Sequence, residues 1–442
     1  MSATRLAITG GTIVGRDGTR RADVLIEDGR IVEVAEKLDV PAGARVLDAG
    51  GCAVGPGFVD LHTHLREPGR EEAETIESGA RAGALGGYTA LVAMPNTEPC
   101  CDSAGVVADV LARARGAACE IAPAGAITKG REGALLAPMA EMARLGVTLF
   151  TDDGTGVQDA DLMRRALEYA HGLGVVVAQH CEDASLAAGG VMHEGAWSSR
   201  LGLAGQPALA ETAMVARDLG LVELTGAQMH FLHLSVPASV RLVAAARDAG
   251  LAVTCEVAPH HLTLDDASCA GYDPAFKVNP PLRPRESVDE LVGLLRQGAI
   301  DAIATDHAPH PPEAKDRTFN DAPPGMLGLE QAVGLSVAAL GGPEALDVSV
   351  LFDLLSRQPA AIARLRAVDT RTGGHSAHGG DVAVGADANL CVLDLAKRTV
   401  VDAAQLASRS RNTPYAGRDL PVTVRHTVLR GEPTVLDGEA VR

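Results

Sequence analysis

PGFVDLHTHLREPG, residues 56–69, is the stretch on which the reading of the fold turns. Its first half, GFVDLH (57–62), is a short apolar run of strand length. Its second half becomes polar without the glycine-rich phosphate turn that follows the first strand of a doubly wound sheet. Seven more runs of similar length follow: TALVAM (89–94), CEIAPAG (119–125), GVTLFT (146–151), VVVAQH (175–180), MHFLHL (229–234), AVTCEV (252–257) and IDAIAT (300–305). Longer Ala/Leu/Glu/Arg segments separate them and predict helices near 71–86, 103–116, 133–144, 158–172, 207–224, 237–249, 285–297 and 328–340. Strands alternating with helices in this way predict an α/β fold, a TIM-like (β/α)8 barrel.

Outside these units the texture changes. LAITGGTIVG, ADVLIEDGRIVEVA and ARVLDAGG near the start, and GDVAVGADANLCVLDL, TVVDA, VTVRHTVLRG and PTVLDG near the end, are short alternating segments between Gly-rich turns. They predict a small β-sandwich module built from both chain ends. The expected division is 1–54 for its N-terminal part, 55–370 for the barrel, and 371–442 for a linker and the C-terminal part. RAVDTRTGGHSAHGG (366–380) is polar and glycine-rich and reads as a mobile linker, with His375 and His378 as linker residues and not metal ligands.

With 442 residues the chain can bury a core of ordinary size, and its 46% apolar and 22% charged residues suit a soluble globular protein. No apolar run reaches the length needed to cross a bilayer, and MSATRLAITGG lacks the pattern of a signal peptide, so a cytoplasmic protein without membrane association is expected. A net charge of −18 without a basic cluster excludes nucleic acid as an expected partner. An anionic substrate must then be attracted by local cations, metal ions or specific arginines. The cysteines lack CxxC spacing and read as reduced packing residues.

Residues two apart in a strand share a side, so His62 and His64 can face one ion. Further metal-ligating types close other runs: Asp152 and Asp153 after the fourth, His180 ending the fifth, His233 late in the sixth and Asp306 after the eighth. Barrel enzymes place their sites at the C-terminal ends of their strands, and a catalytic zinc keeps one position open for water. Each residue singly could be a strand or helix cap, but their recurrence at separate strand ends favours a metal site.

VDLHTHLREPG (59–69), AMPNTEP (93–99), TDDGTGVQ (151–158), QHCED (179–183), VNPPLR (278–283), TDHAPH (305–310) and PGMLGLE (324–330) together resemble the class I dihydroorotases of bacterial type, in the amidohydrolase superfamily. The resemblance implies that His62 and His64 bind one zinc and that His180 and His233 bind a second. It makes Asp153 the bridge between them and Asp306 both ligand and catalytic base. Asp152 is the less favoured ligand and is expected to orient its neighbours. Hydantoinases and allantoinases place a carboxylated lysine between their metals. The 146–156 stretch has no lysine, and Lys129, the nearest upstream, reads as a solvated loop residue.

The implied reaction is reversible hydrolysis of dihydroorotate to N-carbamoyl-aspartate in pyrimidine biosynthesis. Its substrate carboxylate calls for a planar, bidentate cation, and Arg66 follows His64 by two residues. The family resemblance gives Arg66 that role, with Asn96 and His310 beside it, Asn279 at the ring amide edge and the backbone near Pro324 and Gly325 completing the set. His260, His261, Glu182 and Glu256 receive no role. Residues 309–325, PHPPEAKDRTFNDAPPG, are long and proline-rich enough to act as a lid. A homodimer and association with aspartate carbamoyltransferase are further expectations. Two alternatives stay open: a hydantoinase or allantoinase acting on a neutral ring, and an inactive homologue that scaffolds the transferase.

Overall fold

A computed structural model of the protein describes residues 5–365 and 376–442. Each apolar run contains a strand: β1 (Phe58–Thr63), β2 (Tyr88–Ala93), β3 (Glu120–Pro123), β4 (Leu149–Thr151), β5 (Val176–Gln179), β6 (Met229–Phe231), β7 (Val253–Val257) and β8 (Ala302–Ile303). A helix follows each strand: α1 (Ile76–Leu85), α2 (Ala104–Arg113), α3 (Met139–Arg144), α4 (Ala160–Leu173), α5 (Leu209–Thr225), α6 (Pro237–Asp248), α7 (Arg285–Arg296) and α8 (Ala332–Ala339).

The strands are parallel and lie in chain order, β1 to β3 in one sheet and β4 to β8 in another. Two single parallel bridges stand between the sheets, Gly125 to Phe150 after β3 and Thr63 to His307 after β8. Side chains add to the second junction, because buried Asp60 accepts hydrogen bonds from Thr305 N and Thr305 Oγ1, both 2.7 Å. Burial raises the Asp60 pKa to about 6 despite those donors.

Local chemistry explains where the helices begin and end. Thr75 caps α1 in a reciprocal capping box with Ser78, and Asp159 caps α4 by accepting from Leu162 N. Gly174 ends α4 in the left-handed conformation that glycine adopts without strain. Strand alternation then sorts the two faces. Val253, Cys255 and Val257 of β7 join the apolar cluster that holds Val240 and Val243 of α6 and Leu291 and Leu294 of α7. Thr254 and Glu256, between them in sequence, instead meet the side chains of His230 and His62.

Both chain ends enter one seven-stranded sheet, in the order 439–440, 432–436, 423–429, 390–394, 53–56, 12–15 and 18–21. A four-stranded sheet of residues 30–35, 23–27, 5–9 and 45–48 is entirely N-terminal. Leu6, Ile8, Val24 and Ile31 of the smaller sheet share a buried cluster with Val54, Leu390, Val392 and Val428 of the larger one. Strand Ala53–Pro56 leads into β1, so the mixed sheet is joined directly to the strand that carries His62. Short helices at Ala184–Ala187, Ala196–Leu201 and Pro259–Thr263 fall within or just after the strand-to-helix connections and lack the length that makes periodicity visible in sequence.

The linker reading requires one correction. Residues 366–375, including His375, lie outside the described residues, but His378 is 1% exposed and is no solvated linker side chain. Its Nδ1 lies 3.0 Å from Thr89 Oγ1 and its Nε2 3.3 Å from Glu120 Oε2. Glu120, the first residue of β3, is a buried carboxylate that requires donors, and the 376–378 stretch supplies them. All eight cysteines are free, and all but Cys100 are buried. No helix among the described residues is long and apolar enough to cross a membrane.

Candidate metal centre

The C-terminal ends of β1, β4, β5, β6 and β8 bring the proposed ligands together. His62 and His64 leave β1 with their Nε2 atoms 3.3 and 3.5 Å from Asp153 Oδ2. The other oxygen of Asp153, Oδ1, stands 3.5 Å from His180 Nδ1 and 3.4 Å from His233 Nε2. Each carboxylate oxygen therefore faces one histidine pair. Asp306 Oδ1 joins the first group, 3.2 Å from His64 Nε2 and 3.6 Å from His62 Nε2. His62/His64/Asp153 and Asp153/His180/His233 each bring three ligand atoms within 4.8 Å of one another.

These residues fit divalent ions. Tetrahedral coordination at zinc-ligand distances places neighbouring ligand atoms about 3.3 Å apart, close to the separations here. His62 Nε2 and Asp153 Oδ1 are buried without a hydrogen-bond partner, and His180 Nδ1 approaches His233 Nε2 to 2.9 Å. Orphaned buried polar atoms carry a cost that a cation beside them removes. The local field asks for the same charge. Burial opposes protonation of His62, yet Asp153, Glu256 and Asp306 outweigh it and hold the imidazole well above its ordinary range. His180 is raised to about 9 against burial by Asp153 and Glu182. Asp153 itself, despite its burial, is held well below the usual carboxylate range by His62, His180 and His233.

A buried carboxylate that the sequence left without a role organises both groups. Glu256 Oε1 lies 3.2 Å from His62 Nδ1 and accepts from His233 N at 3.3 Å, while Oε2 meets His230 Nε2 at 3.0 Å. Burial opposes its charge, but hydrogen bonds with His230 and His62 lower its pKa to about 2. A proton on His62 Nδ1 toward Glu256 leaves Nε2 free to ligate. The available signal was a lone Glu in the otherwise apolar run AVTCEV. Asp152 turns away from the ligands: Oδ1 accepts from Ile127 N and Thr128 N at 2.8 and 3.0 Å, and Thr128 Oγ1 donates to Oδ2. Lys129 is exposed, in keeping with a solvated loop lysine. His260 and His261 are buried but belong to neither ligand group. His233, Asp306 and Arg66 adopt positive φ angles of 32°, 46° and 62°, so backbone strain gathers at this site.

A cavity of ≈ 190 Å³ opens over the ligands, and Arg66, Asn96, Asn279, His310, Pro324 and Gly325 all line it. Arg66 is 7% exposed, and its Nε donates to Pro309 O at 3.2 Å. Burial and the neighbouring Arg70 lower its pKa to about 10, so it is charged at neutral pH. Asn96 Oδ1 is 2.9 Å from His64 Nδ1, which leaves the amide nitrogen as its other polar end. Asn279 Nδ2 is 3.5 Å from His180 Nε2, and Glu182 accepts from Gln206 Nε2 at 2.7 Å. His310 Nε2 donates to Pro324 O at 2.8 Å. Burial and the charge of Arg66 lower the His310 pKa to about 3, so the imidazole is neutral and the cationic charge on this wall comes from Arg66.

Parallel strands with interleaved helices, a buried His/Asp centre for a divalent metal and an arginine-edged cavity define a metal-dependent hydrolase. Comparison with known proteins narrows this class. A family profile described as "Dihydro-orotase-like" matches residues 51–239. A dihydroorotase of Streptomyces coelicolor is 46% identical over 99% of both chains, and one of Mycobacterium tuberculosis is 46% identical over 95% of this chain and 96% of the relative. Among solved structures, the L-hydantoinase (dihydropyrimidinase) from Arthrobacter aurescens superposes with a TM-score of 0.87 at 25% identity, covering 99% of this chain and 97% of that one. The chain belongs to the dihydroorotase family.

Proposed function

We propose that this protein hydrolyses dihydroorotate to N-carbamoyl-L-aspartate, and closes the ring in reverse, in pyrimidine biosynthesis. The observation that carries this reading is Asp153 between two histidine pairs, beneath a cavity whose cationic wall is Arg66. The aspartate stands where hydantoinase-type enzymes use a carboxylated lysine, and the arginine suits a ring that bears a carboxylate. Zinc is the metal of this reading. His62, His64, Asp153 and Asp306 would hold one ion, and Asp153, His180 and His233 the other.

Bound zinc supplies Lewis acidity toward water and toward the attacked carbonyl. The protein's own groups do the rest. Asp306 takes the proton as the water oxygen adds to the carbonyl, and returns it to the ring nitrogen as the C–N bond breaks. It enters ionised, because His64 and the charges around it overcome burial and hold its carboxyl well below the usual range. In ring closure the attacking amide nitrogen gives its proton to Asp306, which passes it to the carboxyl-group oxygen that leaves as water when the C–O bond breaks. Arg66 pairs with the substrate carboxylate, with Asn96 and His310 alongside, while Asn279 meets the ring's amide edge and the backbone near Pro324 and Gly325 completes the set.

In the same reading the two parallel sheets form one eight-stranded barrel, closed by the Gly125–Phe150 and Thr63–His307 bridges, over residues 55–370. The sheets of both chain ends form a β-sandwich, its N-terminal part within 1–54 and its C-terminal part, after a linker, within 371–442. The protein is a cytoplasmic homodimer, and aspartate carbamoyltransferase, whose product is the substrate of ring closure, is its candidate partner. Metal-supported assays on dihydroorotate, N-carbamoyl-aspartate, hydantoin and allantoin test the central reading. Turnover of the first two alone is expected, and turnover of hydantoin or allantoin in their place would overturn it.

A further inference from the structure

Beside Arg66 and Asn96, the cavity is lined by residues from both ends of the polar, proline-rich loop, Ala308 and His310 at one and Pro323, Pro324 and Gly325 at the other. The loop tip is tied to residues 274–277: Lys315 Nζ donates to Pro274 O at 3.0 Å, and Lys277 Nζ to Asn320 O at 2.9 Å. Its base is tied by a residue more than 80 positions further on. Asn412 is 7% exposed, and its Nδ2 donates both to Ala308 O at 2.9 Å and to Gly325 O at 3.1 Å. Its Oδ1 accepts from His310 N at 3.1 Å, and its backbone carbonyl accepts from Leu327 N at 3.1 Å. The surrounding segment is itself anchored: Ser408 Oγ and Arg409 N donate to Glu74, and Ser410 Oγ donates to Ala73 O.

We propose that Asn412 is a positioning residue for substrate binding, through which the C-terminal part of the chain sets the carboxylate-recognition wall of the cavity. The proposal rests on the dihydroorotate reading above. Asn412 touches no metal ligand in the contacts described, and it acts through two others. Arg66 Nε donates to Pro309 O, so the guanidinium takes its place from the stretch that Asn412 holds. His310 is held at its backbone by Asn412 and at its ring by Pro324 O. The fit there is close, since a Cβ on Gly325 would lie 2.7 Å from Ala308 Cβ and 2.9 Å from His310 Nε2. An amide suits the position because two carbonyls and one N–H converge on it. A carboxylate of the same shape would present oxygen to both carbonyls.

Asn412→Asp is the test, read against wild type with full metal loading. The KM for dihydroorotate should rise roughly tenfold or more, as expected when two hydrogen bonds are lost and two carbonyls are left unpaired. The kcat and the metal content should change little, because the lost interactions orient the binding wall and not the reacting atoms. Amide exchange should quicken within 308–327 and not in α4 or α5. A wild-type KM in the folded variant overturns the proposal, and so does a joint fall of kcat, metal content and melting temperature, which would mark a general structural role. Should Asn412→Asp fail to fold, Asn412→Ser keeps one donor and should show the same split on a smaller scale. A wild-type KM in Asn412→Ser likewise overturns it. Absence of dihydroorotate turnover in wild type is a separate result that counts against the substrate reading, while the exchange measurement still tests the clamp.

Discussion

Two clusters of buried histidine and carboxylate sit at opposite ends of the parallel strands, and they differ in what is left unpaired. At the N-terminal ends of β2 and β3, His378 has Thr89 on one ring nitrogen and Glu120 with Ser376 on the other. Glu120 also accepts from Ser376 Oγ and Arg430 Nη2, each at 2.8 Å. At the C-terminal ends, His62 Nε2 and Asp153 Oδ1 have no hydrogen-bond partner, and imidazole nitrogens converge on one another. Burial and residue type are alike in the two places. A satisfied cluster joins chain segments, whereas one that leaves buried ligand atoms without partners is built for a cation.

That contrast can be broken or sharpened by substitution. The largest effect is expected from Asp306→Asn, which should keep the fold and lower kcat on the order of a hundredfold to ten-thousandfold, the range of general acid-base catalysis. Near-normal turnover would remove Asp306 as the base. Glu256→Gln keeps the shape of the buried group but weakens its hold on His62 and His230. Metal affinity, measured by competition with a chelator, should fall about tenfold to a hundredfold. Unchanged affinity would mean that the ligands need no such support. Arg66→Met should raise the KM for dihydroorotate roughly tenfold to a hundredfold, the worth of a charge-assisted hydrogen bond. Unchanged kinetics would reassign the carboxylate site. At the satisfied cluster, His378→Ala should cost about 1–3 kcal/mol of stability by denaturant titration and leave metal content and kcat alone. Loss of metal in that variant would erase the distinction between the two clusters.

Much of this was legible in sequence because the signals were local. The eight apolar runs each contain a strand, since burial on both faces leaves continuous Val/Ile/Leu/Ala stretches. The placement of the proposed ligands was readable for the same reason: once the strands are placed, His62, His64, Asp153, His180, His233 and Asp306 fall at one end. What escaped depends on contacts distant in sequence. Glu256 meets His62 across 194 residues, Asn412 reaches Ala308 across 104, and His378 meets Glu120 across 258. No local period marks such residues. His378 was misread because GGHSAHGG has linker composition, and composition says nothing of a buried carboxylate elsewhere that needs a donor.

The central claim, a paired metal centre bridged by Asp153, is tested most directly by the stoichiometry of divalent metal in the purified, metal-loaded protein and in a His180→Ala/His233→Ala double variant. The account predicts two ions per chain in wild type and one in the double variant, retained by His62, His64, Asp153 and Asp306. A wild-type protein that binds no divalent metal, or a double variant that still holds two ions, would contradict it.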